Sequence, residues 1–271
     1  MRATSQASLE AASAQWEAVL ASIGAAALGL AEQLFEVEDL LGSQVALRRA
    51  LTDPSRSGDD KAVLAGRVLE GAVADEVSEL VQGLARARWS ATEDLGEAVD
   101  VLAVDSALAA AEAAGRLETV EEELFRVDRL LARQREVRMA LANTDMPVAR
   151  RLALADDLFG SRVSPETALF VRRAVLSLDR RSLTSSLSAA GRRAAERRRR
   201  LTATVVAAAP LTRAQVDRLE AILERAYGRH VAVNVAVDPA VVGGLRIQVG
   251  SEVVDATVLA RLDEARRRLA G

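Results

Sequence analysis

The chain has 271 residues, of which 50% are hydrophobic and only 3% aromatic, and its net charge is −3. That charge supplies no general attraction to nucleic acid or anionic lipid. Cysteine is absent and His230 is the single histidine, which excludes disulfides, thiolate metal sites and a multi-histidine centre. A core of Ala, Leu and Val with few aromatics is the usual material of helix bundles. No cofactor or metal is expected. The longest uncharged run, Ala18 to Ala31, is too short and too rich in Ala and Gly to span a bilayer. With no basic segment and cleavage site ahead of it, the chain is expected to be soluble and cytoplasmic.

An internal repeat organises everything before residue 200. Glu32, Leu34, Phe35, Val37, Leu40 and Leu41 recur as Glu122, Leu124, Phe125, Val127, Leu130 and Leu131. Gln44, Arg48, Ala50 and Leu51 recur as Gln134, Arg138, Ala140 and Leu141, and Leu64, Ala65 and Val73 as Leu154, Ala155 and Val163. Every pair is separated by the same 90 residues without a gap. The repeat predicts a tandem duplication of a helical unit. In the second copy Leu124, Val127, Leu130 and Leu131 are expected on one helical stripe. Thr52 to Gly58 and Asn143 to Pro147 break the pattern as loops. Ser164-Pro165-Glu166 reads as a helix start, with a capping hydroxyl and proline at the first helical position. Trp16 and Trp89 either anchor helix packing or mark a partner surface.

Glu121-Glu122-Glu123 is acidic enough to suggest a metal, but consecutive helical residues point in different directions, so a solvated first turn is expected. Arg192, Arg193 and Arg197 to Arg200 form the densest charge run. No stacking aromatics accompany it, so a solvated helix end at a domain boundary is expected there, not a nucleic-acid site.

After Arg200 the period changes. Leu201, Ala203 and Val205 alternate with Thr202, Thr204 and Val206, a first strand. Leu211-Thr212-Arg213-Ala214-Gln215-Val216 carries a capping box and a hydrophobic staple, and Val216, Leu219, Leu223 and Ala226 mark the buried stripe of the helix it starts. Gly228 suits the residue after that helix. Val231, Val233, Val235 and Val237 alternate as a second strand, ended by Asp238-Pro239. Leu245, Ile247 and Val249 form a third, Gly250-Ser251 a two-residue turn, and Val253-Val254 the return. Asp255 stands where a helix could be capped, and Val258, Leu262, Ala265 and Leu269 are spaced for that last helix. The Gly243-Gly244 pair lacks a following Gly-Lys-Ser/Thr and opens a strand, so it is no phosphate loop. The expected fold is mainly α: a duplicated helical bundle followed by a small α/β domain of strand, helix, strand, hairpin and helix.

The segment from Pro239 to Leu269, with its Pro-Ala-Val-Val-Gly-Gly opening, resembles the C-terminal signature of the delta subunit of F-type ATP synthase, the family of the oligomycin-sensitivity-conferring protein. Gly243, Gly244, Gly250, Asp255 and Val258 match that signature, while Ser251 stands for its Asp and Ala256-Thr257 for its Gly-Ser. The resemblance covers roughly residues 98 to 271, and the Ala107 to Ala111 region is similar to the family's first helix. Residues 1–97 are extra, an enlargement that resembles actinobacterial delta subunits. The domains implied are 1–97, an added helical copy; 98–200, the family's helical bundle; and 201–271, the α/β domain.

The resemblance implies a static stator link without an active site, at the cytoplasmic face of the membrane but not inserted in it. Its helical bundle would grip the N-terminal segments of alpha subunits, and its C-terminal domain would meet the b subunits of the peripheral stalk. By family position the alpha-binding groove would lie between the helix around Leu108 and Ala111 and the helix around Phe170, Ala174 and Val175, although burial in a bundle core is the favoured account of each of these residues taken singly. The duplication by itself also fits a helical-repeat adaptor unrelated to ATP synthase.

Overall fold

A computed structural model describes residues 1–178, 181–199, 201–227, 231–238, 244–249 and 252–255. Two units emerge, Met1–Ala195 and Glu196–Gly271. The first is helical among the described residues, and the 90-residue period recurs in its helix boundaries. Helix α2 (Ala27–Ser43) has its counterpart in α7 (Leu117–Arg133), and α3 (Val45–Thr52) in α8 (Arg135–Ala142). Helix α5 (Asp75–Arg86) matches α10 (Pro165–Leu176), again 90 residues on. The long helices α1 (Ala3–Ile23) and α6 (Thr92–Ala113) open the two copies, and α11 (Leu183–Arg199) follows the second. The copies differ at α4 (Gly58–Leu69), whose counterpart α9 (Val148–Ala155) passes into a π-helical turn at Asp156–Gly160.

Local bonds repeat with the helices. Arg48 Nη1 donates to the Leu41 carbonyl at 3.0 Å, and Arg138 Nη1 to the Leu131 carbonyl at 2.7 Å. Each arginine closes the sharp corner between two helices by satisfying a terminal carbonyl of the first. The Ala74 amide donates to Gln33 Oε1 at 2.7 Å, and the Ser164 amide to Glu123 Oε2 at 2.9 Å. The duplication therefore preserves side-chain chemistry at its corners as well as apolar spacing.

The two copies share one core. Ser5 Oγ donates to Asp94 Oδ2 at 2.6 Å, and Trp16 Nε1 to Ser106 Oγ at 2.8 Å, tying α1 to α6. Trp16 is thus a packing anchor, 3% exposed, with its one polar atom satisfied. Helix α2 packs closely along α6, and the facing stripes are rich in alanine: Ala27 and Ala31 on one, Ala103, Ala107, Ala110 and Ala111 on the other, all wholly buried. Small side chains bring the two axes together, and Leu34, Leu95, Leu102 and Leu108 fill the space beside them. The apolar stretch within Ala3–Ser43, with mean hydropathy 1.6, places Leu9, Trp16, Leu20, Leu30 and Leu34 in this core.

Two expectations change here. Leu124, Val127 and Leu131 are buried on α7, whereas Leu130 is 42% exposed, because six residues from Leu124 it has rotated off the stripe. Glu123 is buried, not solvated, since it serves the Ser164 corner.

The second unit is a four-stranded sheet of order β2-β1-β3-β4: β1 (Leu201–Ala207), β2 (Val231–Val237), β3 (Leu245–Val249) and β4 (Glu252–Asp255). Strands β1 and β2 are parallel, joined through α12 (Arg213–Tyr227), while β3 runs antiparallel to both β1 and β4. Ala203, Val205 and Val231 alternate inward and meet Leu219 and Leu223 of α12. Val249 pairs with Glu252 at the end of the β3–β4 ladder. The expected last helix (Val258, Leu262, Ala265 and Leu269), the turn residue Ser251, Gly228 and His230 lie outside the described residues.

The capping box forms: the Thr212 amide donates to Gln215 Oε1 at 2.8 Å, and the Gln215 amide to Thr212 Oγ1 at 3.4 Å. Thr212→Ala should lower the stability of this unit by about 1 kcal/mol, read from the shift in its urea midpoint at constant m.

Candidate interaction surfaces

Leu108 and Ala111 sit on α6, and Phe170, Ala174 and Val175 on α10. The structure brings all five into one cluster, at 4% exposure for Phe170 and 0% for the rest. What covers this region is the chain itself, because α2 of the first copy packs against both helices. The small side chains of α6 that suit a partner helix are met by α2.

Charged groups fasten α2 to α10. Arg173, only 7% exposed, donates from Nη1 to Asp39 Oδ2 at 2.6 Å and from Nη2 to Asp39 Oδ1 at 2.8 Å. The same guanidinium also pairs with the buried carboxylate of Glu38. Its carbon lies 4.9 Å from the centroid of the Phe35 ring, a cation–π stack. Elsewhere Arg116 meets Glu166 at 2.5 Å, with the glutamate side chain 1% exposed. Arg193 grips both oxygens of Asp105 at 2.5 Å, so this member of the arginine run sits in a partly buried ion pair and not on a fully solvated face. Arg200 lies outside the described residues.

A cavity of about 410 Å³ lies among these helices, lined by Glu38, Glu97, Asp100, Arg48, Arg173 and Arg181. Burial pushes the Asp100 carboxyl above its ordinary value against the pull of Arg181, which stands 3.7 Å away. With Glu93, four carboxylates face three arginines in this wall, and among the described residues no group of three or more His, Cys, Asp or Glu could hold a metal ion. Such an arrangement fixes helices.

Sequence reasoning missed Glu123. Burial raises its carboxyl, but the Ser164 hydroxyl and amide, donating at 2.7 and 2.9 Å, outweigh that and hold it below the usual carboxylate range. A carboxyl lowered by folding contributes stability above its unfolded pKa of about 4.3, and that contribution is lost as pH falls through the folded value. Glu123→Gln should therefore flatten the acid side of the stability profile between about pH 5 and pH 3, relative to wild type, in urea titrations at each pH. The counterpart Gln33, in the same bond to Ala74, was the available signal: a repeat that alternates Gln and Glu at a corner acceptor.

Of the signature residues, Gly244 adopts φ 85 immediately before β3, a conformation that disfavours side chains with a Cβ. Asp255 closes β4, paired with Arg246. Gly243, Gly250 and Val258 lie outside the described residues.

Residues 104–269 match the family model described as ATP synthase delta (OSCP) subunit. The ATP synthase subunit delta of Beutenbergia cavernae is 55% identical over 271 residues, covering 100% of both chains. That of Kineococcus radiotolerans is 46% identical, over 98% of this chain and 96% of its own. The Streptomyces griseus subunit is 42% identical over 100% of both. The resemblance thus extends through the first helical copy, which the family model leaves unmatched.

Proposed function

The chain belongs to the ATP synthase delta (OSCP) subunit family, and from that premise we propose that it links the catalytic alpha/beta head to the b subunits of the peripheral stalk. Its helical unit takes the N-terminal segments of alpha subunits, and its α/β unit meets the stalk. The protein works at the cytoplasmic face of the membrane, without inserting in it and without catalysing a reaction itself. The observation that carries this reading is the cross-linked double bundle: a link that resists torque needs fixed helices, and buried pairs such as Arg173 with Glu38 and Asp39 fix α10 on α2. In that bundle the family's alpha-binding position at Leu108, Ala111, Phe170, Ala174 and Val175 lies beneath α2, so the alpha segments engage this region from its outer surface.

Affinity purification of the tagged full chain from cells assembling the enzyme should recover alpha, beta and b subunits, and recovery of none of them would refute the assignment. In the same experiment Gly244→Val, which forces a β-branched side chain onto φ 85, should deplete b while leaving alpha in place. Equal recovery of b would move the stalk contact away from β3.

A further inference from the structure

The duplication offers an internal control, because equivalent positions on the two copies have different fates. On α2, Phe35 and Glu38 form one outward face, which α10 covers: Arg173 stacks on the ring and pairs with the carboxylate. Phe35 is 3% exposed as a result. On α7 the same face recurs 90 residues later as Phe125 and Asp128. There Phe125 is 60% exposed, with Leu130 at 42% and Met139 at 57% close by in the chain. Beside this face runs a groove of about 490 Å³ between α7 and α11, floored by Leu124, Leu187 and Gly191.

We propose that the α7–α11 groove is a docking site for an amphipathic helix of a partner chain that presents an arginine beside apolar residues, as α10 presents Arg173 between Phe170 and Ala174. Three observations fit that occupant. The groove is lined by Glu121, Glu122 and Asp128 against one cation, Arg192, so its charge favours a basic helix over an acidic one or a phosphate backbone. Asp128 Oδ1 is shielded from solvent with no hydrogen-bond partner, while its other oxygen takes a long bond from Ser188 at 3.4 Å; a buried carboxylate oxygen in that state calls for a donor. Gly191 adds no side chain to the floor, where a Cβ would make only ordinary contact with the Leu124 side chain, 3.9 Å away.

The copies also differ in one respect that sets specificity. Arg129 occupies the position equivalent to Asp39 and leans over Phe125, with its guanidinium carbon 5.6 Å from the ring centroid. An incoming arginine therefore finds Asp128 alone where Arg173 finds two carboxylates, and Arg129 must swing aside. Docking here is weaker and more reversible than the α2–α10 contact. This surface is separate from the buried cluster at Leu108 and Phe170, and the proposal does not depend on which subunit supplies the helix.

The probe is a fluorescein-labelled synthetic peptide with the sequence of residues 165–178, titrated with the intact full chain and read by anisotropy. Saturable binding is expected, weakened at least tenfold by Phe125→Glu and by Asp128→Asn, and weakened similarly when the arginine corresponding to Arg173 in the peptide is alanine. Phe125 is exposed, so Phe125→Glu should keep the wild-type circular dichroism spectrum; Asp128→Asn provides the second reading if it does not. No saturable binding, or binding that both variants retain, overturns the proposal. So does dimerisation of the wild-type chain in light scattering that Phe125→Glu abolishes, since the occupant would then be a second copy.

Discussion

Arg173→Ala is expected to destabilise the helical unit by about 3–5 kcal/mol, the range for removing one member of a buried ion pair. The loss comes less from the attraction removed than from what stays behind. Glu38, 4% exposed, would retain a negative charge in a site whose cation has gone, and Phe35 would lose the group stacked on its ring. The double variant Glu38→Gln/Arg173→Met should recover much of the loss, because a neutral amide and an unbranched apolar chain leave no buried charge unmatched. Circular dichroism at 222 nm during urea unfolding measures both. If Arg173→Ala moved the midpoint no more than a surface substitution does, the contact between α2 and α10 would not fasten the copies together.

The same contact marks the limit of what local sequence encodes. The two Leu-Phe-x-Val-x-x-Leu-Leu segments dictate two helices with equivalent buried stripes, and Leu34 and Leu124 are both at most 1% exposed. They do not dictate the fate of the phenylalanine beside that stripe. Phe35 is buried because α10, far along the chain, reaches across it, whereas Phe125 at the same position of the second copy is 60% exposed. Glu123 failed to be read for the same reason: its partner Ser164 is distant in sequence, so a run of three glutamates looked solvated. Features closed by neighbours were legible. The Ser164 hydroxyl accepts from the Thr167 amide, Thr212 and Gln215 cap reciprocally, and the loops at residues 53–57 and 143–147 separate helices as their composition requires. The start of the second copy lay between these cases. Helix α6 runs unbroken through residues 97 and 98, since an Ala-rich helix carries no compositional mark where an added segment ends.

Leu108→Ala separates the two roles that Leu108 could have. A side chain lining an open groove would lose partner affinity on truncation and leave the fold untouched. Leu108 is 0% exposed on α6, in the core that joins the copies. Truncation there should cost about 2–5 kcal/mol, from lost transfer energy and from a cavity that its surroundings fill poorly. Poor collapse is expected at this position because its neighbours Ala107, Ala109, Ala110 and Ala111 have no long side chains to swing into the space. Urea unfolding followed at 222 nm should therefore show a lower midpoint with m unchanged. Combining Leu108→Ala with Arg173→Ala sharpens the result. If α2, α6 and α10 form one packed body, losing the Arg173 pairs should let α2 relax towards the cavity, and the combined loss should fall short of the sum of the single losses by more than about 0.5 kcal/mol. Strict additivity would mean that the α2–α6 and α2–α10 contacts act independently, and an unchanged midpoint for Leu108→Ala alone would return Leu108 to the role of an exposed partner contact.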